Sequence, residues 1–215
     1  MAQTTLERRR SVAATPSAGP AEAPSVPAFQ IVPAFQIVPV LGLPAVAVAG
    51  GLLVAAIASN RLWALEFFHI VGGGLWTGID LFVGLIIGPI LPRLSVQART
   101  EFITRFMPKM LLIMPTLVTM TLASGWQLGL HTGDLSVAYP QHWWLTASYI
   151  VVGVMSVIAI GVLEPANLAV LFELKKQRPD GELIGKLMRR FVYTAGITGV
   201  MQLVTLVIMT RIATW

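Results

Sequence analysis

The sequence predicts an all-α, polytopic membrane protein, a bundle of five transmembrane helices with its N-terminus inside and its C-terminus outside. Three observations carry that expectation. The chain is 55% hydrophobic and only 12% charged, and its apolar residues lie in runs of the roughly 20 residues that cross a bilayer core. Its basic residues are segregated by loop. Its tryptophans gather at the opposite ends of the same runs.

Residues 1–38 are rich in Ala, Pro and Ser, with Arg8, Arg9 and Arg10 as a basic cluster. Nothing there can build a core, so a disordered cytoplasmic tail is expected. The basic cluster stands about thirty residues before the first apolar run, the wrong spacing for a cleavable signal peptide. The six residues Ala28 to Pro33 recur at Ala34 to Pro39, either a small duplication or a short docking peptide.

The membrane domain, residues 39–215, divides into spans at about 40–59, 62–91, 107–130, 144–172 and 190–213. The loop 92–106 carries Arg93, Arg99 and Arg105, with Lys109 just inside the next span. The loop 173–190 carries Lys175, Lys176, Arg178, Lys186, Arg189 and Arg190, whereas 131–143 has no Lys or Arg. An N-in topology leaves only Arg61 and Arg211, of 15 basic residues, on the outside, as the positive-inside rule requires. Trp63, Trp126, Trp143, Trp144 and Trp215 then sit at the outer interface and only Trp76 is deep. The net charge of +5 is thereby assigned to membrane orientation, and nucleic acid is not expected as a partner.

The second span holds a glutamate, a histidine and an aspartate where each is costly. At about 100° per residue, Glu66, His69, Gly73, Thr77, Asp80, Gly84 and Gly88 share one face. Phe67, Phe68, Ile70, Leu75, Phe82, Leu85 and Ile86 form the other. Such a helix has one side for lipid and one for something polar. Gly84 and Gly88 have the spacing of a helix-packing motif, the better explanation for that pair.

Two candidate sites follow. His69 lies six residues past Trp63, about 9 Å below the outer interface, and His131 and His142 also fall in the outer half. Imidazole is an axial ligand for haem and suits copper or zinc, with Gly73 admitting a flat macrocycle. The bland alternative is a neutral His69 bonded to Glu66 or to a neighbouring helix. Deeper, Asp80 lies about 25 Å below Trp63, and Glu164 is similarly far down the fourth span. Arg105 and Lys109 could neutralise them as an ion-pair cluster, the favoured reading, against a proton or cation relay from Glu66 through Asp80 and Glu164. Met107, Met110, Met114 and Met120 cluster on the third span. Methionine is a soft ligand for Cu(I), but in a membrane core it is more often packing.

Phosphate-binding, dinucleotide-binding, zinc-protease and hydrolase-elbow motifs are absent. No cysteine is present, which excludes disulfides and thiolate chemistry.

The run His69, Gly73, Trp76, Gly78, Phe82 and Pro92-Arg93-Leu94 resembles the histidine helix of a group of bacterial membrane proteins. The group includes the CopD-type copper-resistance proteins, the HemJ-type protoporphyrinogen oxidases and the membrane domain of PuuD-type urate oxidases. Arg105, Pro108, Pro115 and Ser124-Gly125-Trp126 are similar to the next helix of that group, so the likeness covers about 62–130. It implies a bacterial inner-membrane bundle that binds haem b, with His69 as ligand, His131 and His142 as candidates for the second, and Gly73 and Trp76 beside the macrocycle. Such a protein would pass electrons alone or as a membrane subunit of a redox complex. The alternatives are a copper-handling transporter using His69, Glu66 and Met120, and an accessory subunit without a cofactor.

Overall fold

The computed structural model describes residues 34–136 and 141–214, which are all-α. Five helices among them are long and apolar enough to cross a bilayer: α1 (Val40–Ser59), α2 (Leu62–Arg93), α3 (Val96–Thr132), α4 (His142–Leu174) and α5 (Gly181–Ile212). The chain is thus a multi-pass membrane protein.

Helices α2, α3, α4 and α5 form a ring in which each packs on its two neighbours, while α1 lies outside against α3 and α2. The ring exposes large apolar side chains on its outer surface, among them Phe67, Ile70, Leu75, Ile150, Val157, Ile160 and Val207, as a surface solvated by lipid requires. Its interior holds Trp76, Met110, Met114, Leu117, Val118, Met155 and Ala159 as one cluster. Met110 and Met114 of α3 pack in this cluster. A second cluster of Leu53, Ala56, Ala64, Phe68 and Met120 joins α1 to the ring. Phe68, expected on the lipid face, is therefore buried: α1 covers it.

Local chemistry sets the helix ends. Asn60 closes α1 in the left-handed conformation (φ 47°), which Asn tolerates better than most residues, and its side chain accepts a hydrogen bond from Gln127 Nε2 at 2.9 Å. Ser95 caps α3 by accepting from Ala98 N at 3.2 Å. Arg99 reaches back to the carbonyls of Pro92 and Leu94. Asp180 caps α5, accepting from Glu182 N and Leu183 N.

Two of the expected loops are therefore much shorter than 92–106 and 173–190. Helix α3 begins at Val96 and α5 at Gly181, so most of the basic residues ride on helical extensions. Apolar content marks only the part of a helix inside lipid, and the caps continue it beyond. Gly133, at φ 77°, ends α3.

Residues 34–39, the second copy of the repeated hexapeptide, were expected to belong largely to the tail. They run without regular structure, with Phe35, Ile37 and Pro39 half-buried and Lys175 Nζ 5.8 Å from the centre of the Phe35 ring. The first copy and the rest of the tail lie outside the described residues. Phe35 and Lys175 mark a basic end of the bundle. Exposed Trp63, Trp126 and Trp143 mark the other end.

Candidate functional site: a buried polar pocket in the basic-end half

Helix α2 and helix α5 meet backbone to backbone. A side chain at Gly84 would strike Gly196, and one at Gly199 would lie 2.9 Å from Leu81 N. The expected packing role of Gly84 and Gly88 is what the structure shows, with α5 as the partner: Gly88 faces Val192. This close approach brings short polar side chains of α5 onto Asp80, the residue before Leu81.

Asp80 is 2% exposed. Its Oδ2 accepts from Thr198 Oγ1 at 2.9 Å and from Gln202 Nε2 at 3.3 Å. Trp76, one turn earlier, directs its indole towards the same carboxyl, but its Nε1–H makes no hydrogen bond of good geometry. Hydrogen bonds to a charged acceptor contribute about 1.5–3 kcal/mol each, which offsets part of the cost of a carboxyl in a span.

Asp80 lines a pocket of about 140 Å³ formed by α2, α3, α4 and α5, which opens to the outer surface beside the exposed Pro115, Thr119 and Ile160, and Glu164 lines it from α4. Most of the remaining wall is apolar, with Val83, Met110, Met114 and Phe191 among its residues. Glu164 is half-buried, with no hydrogen bond or ion pair among the described residues. Both carboxyl-bearing helices depart from α geometry beside the cavity: α2 is a π-helix over Phe82–Ile87 and α4 over Ala159–Leu163. Such insertions re-aim side chains and are frequent at functional sites.

Helix α3 stays α-helical at the same level although Pro108 and Pro115, which lack an N–H, lie within it. Asn167, 1% exposed, reaches across from α4 into the turn between them. With its amide oriented as its neighbours require, it donates to Met107 O and accepts from Leu111 N, each at 3.3 Å. This clasp ties α4 to α3 one turn beyond Glu164.

The expected ion-pair cluster does not form. Arg105 is exposed and pairs with Glu101 at 2.7 Å, and Lys109 is exposed. Neither pairs with Asp80 or Glu164. Both basic residues have the right height but lie on the outer face of α3. Glu66 also departs from its expected inward face and is exposed.

The outer candidate is built differently. His69 Nδ1 donates to Thr121 O at 2.9 Å, and Gly125 makes room for its ring: a methyl there would lie 2.6 Å from Cε1. Gly72 and Gly73 press on Thr121 in the same seam. The expected bond from His69 to a neighbouring helix is present, with a backbone carbonyl rather than Glu66 as its partner.

The described residues do not fit a haem held by two histidines of this chain. The α2–α3 seam is closed at the level of His69, and Trp76 belongs to the core beside Asp80. His131 is exposed, six residues beyond Gly125 and so about 9 Å further along α3. His142 stands at the start of α4. The copper set is not gathered either. Met120 packs with Leu53, Ala56, Ala64 and Phe68, Glu66 faces outward, and no group of three or more His, Asp or Glu could hold a metal ion among the described residues.

Thr198 and Gln202 were not among the residues singled out in the sequence. A signal for them exists: Thr194, Thr198, Gln202 and Thr205 recur at helical spacing in an otherwise apolar span, a polar stripe that must face something other than lipid.

No family model matches the chain, and no curated protein or solved structure matches it; the likeness of residues 62–130 to the histidine-helix group rests on its motif alone.

Proposed function

We propose that this membrane protein binds and moves a small cation, the proton included, through the pocket formed by Asp80 and Glu164. One observation carries the reading. Two carboxyl groups from helices that make no substantial contact with each other line one pocket between the four helices of the ring, with no countercharge paired to either among the described residues. An ionisable group within a span costs about 2.5–3.5 kcal/mol or more, and packing alone gives no reason to keep two of them. Irregular backbone in a membrane helix is tolerated where it lines a cavity, which accounts for the two π segments. Charge placement supports an N-in, C-out orientation with the pocket in the cytoplasmic half. The motif of α2 supports a bacterial inner membrane as the setting.

Purified protein in liposomes tests this. An imposed cation or pH gradient is expected to dissipate faster than in protein-free liposomes, and Asp80→Asn and Glu164→Gln are each expected to remove the difference. Equal leak from the wild type and both variants would overturn the proposal.

A second reading, a b-type haem or a copper ion on His69, is favoured by one specific feature. The Nδ1–H bond to Thr121 O fixes the tautomer and leaves the Nε2 lone pair, as in ligating histidines. This chain would contribute a single ligand and another subunit of a redox complex the rest. Protein from haem-replete cells would then show a Soret band that weakens in His69→Ala; colourless protein, with copper accumulation unchanged on deletion, removes this reading.

A further inference from the structure

The polar atoms around Asp80 say which cation suits the pocket, given that the pocket is the functional centre proposed above. Thr198 Oγ1 stands 2.9 Å from Asp80 Oδ2, 2.9 Å from Ala195 O and 3.1 Å from Thr194 O. A hydroxyl has one proton and two lone pairs, so it serves one of these acceptors at a time. With Asp80 ionised, the proton points to Oδ2. With Asp80 protonated, the carboxyl donates to Oγ1 and the hydroxyl turns its proton to a carbonyl of its own helix. Both charge states are satisfied with the heavy atoms in place. A buried polar group left unpaired is costly, and this arrangement avoids that cost in either state.

Two further atoms beside Asp80 are enclosed and without a partner: Trp76 Nε1 and Gln202 Oε1, on residues 2% and 3% exposed. One is a donor and the other an acceptor. A water between them would accept from the indole and donate to the amide oxygen. The pocket of about 140 Å³ that Asp80 and Glu164 both line has the volume for further water, for which the two carboxyls are the polar partners. The same surroundings suit a metal ion poorly. Hard cations take six or more oxygen ligands, whereas here the Gln202 amide N–H and the Thr198 hydroxyl stand as donors at the carboxyl.

We infer that the ligand of the pocket is a proton, held on Asp80 with Thr198 as its relay and a water between Trp76 and Gln202, and exchanged with Glu164 across the cavity. In the exchange the O–H bond of one carboxyl breaks, a cavity water carries the proton, and an O–H bond forms on the other. No electron moves. On α2, His69 and Glu66 are 11 and 14 residues away, about 16 and 21 Å along the axis. On α3, Arg105 is paired with Glu101 and Lys109 is exposed; on α5, Arg189 and Arg190 are exposed. Among the described residues Glu164 is the titratable group that shares the cavity with Asp80.

Infrared difference spectra of the lipid-embedded protein, taken over a pH titration, test the relay. A protonated-carboxyl band is expected to titrate and to vanish in Asp80→Asn. Thr198→Val, which keeps the shape and removes the hydroxyl, is expected to displace its midpoint by about one pH unit or more, and Thr198→Ser to restore it. An Asp80 band that never titrates, or a midpoint indifferent to Thr198→Val, overturns the proposal. Liposome flux separates it from the broader reading. Carriage of radiolabelled sodium that depends on Asp80 and Glu164 keeps the transport centre and refutes the proton. Titration through Thr198 without flux of any ion keeps the proton site and refutes transport.

Discussion

The tryptophan-end and basic-end halves of α2 contrast a closed contact with an open one. His69 and Asp80 share a helix face, and each bonds a neighbouring helix at 2.9 Å. At His69 the partner is a backbone carbonyl, the ring lies over Gly125, and the seam is filled. At Asp80 the partners are side chains, and the carboxyl also lines a cavity that a second carboxyl shares. One ionisable group in a span therefore serves helix packing and the other has a volume to work in. A costly residue in a membrane helix points to function only once its surroundings are known.

The comparison can be broken from either side. The largest effect is expected from Gly84→Leu, which forces α2 and α5 apart where their backbones touch and lifts Thr198 and Gln202 off Asp80. Overpacking of this kind costs about 1–3 kcal/mol, occasionally more, and should appear as a large fall in thermal stability in detergent. Asn167→Leu removes the clasp of α4 on the 107–111 turn of α3, where Met107 O and Leu111 N remain helical partners of each other. It is expected to cost about 1 kcal/mol and to speed amide exchange at Leu111 while leaving the His69 seam unchanged.

Gly125→Ala probes the other half. The added methyl displaces the imidazole, and the His69 ring resonances should lose the signature of an Nδ1–H bond, at a cost of about 1 kcal/mol for one hydrogen bond. Normal flux should persist. Arg105→Ala is expected to do least. Its pair with Glu101 is 77% and 56% exposed, and exposed pairs are worth about 0–1 kcal/mol, so unfolding should be nearly unchanged. A large loss would restore the ion-pair cluster that the charge pattern suggested.

Much of the fold was legible in the sequence, because lipid imposes a local rule: an apolar run of sufficient length, with basic and aromatic residues at its ends, is a span. The glycine pair on α2 was legible for the same reason, although its partner helix was not. The site was half legible. Asp80 and Glu164 stand out as charges in apolar runs, but Thr198 and Gln202 lie 118 and 122 residues from the aspartate they bond, and no local pattern encodes that pairing. Arg105 and Lys109 misled because height along a helix was readable, whereas the direction they face is settled by where α3 sits in the ring. The helix caps at Ser95 and Asp180 were written in the sequence, but hydropathy stops at the membrane surface.

The most direct test of the central contrast is ion flux in liposomes for three variants side by side. Asp80→Asn and Glu164→Gln should reduce it to the protein-free leak, and His69→Ala should retain it. Flux lost in His69→Ala and kept in both carboxyl variants would place the working site at the tryptophan end and contradict the account.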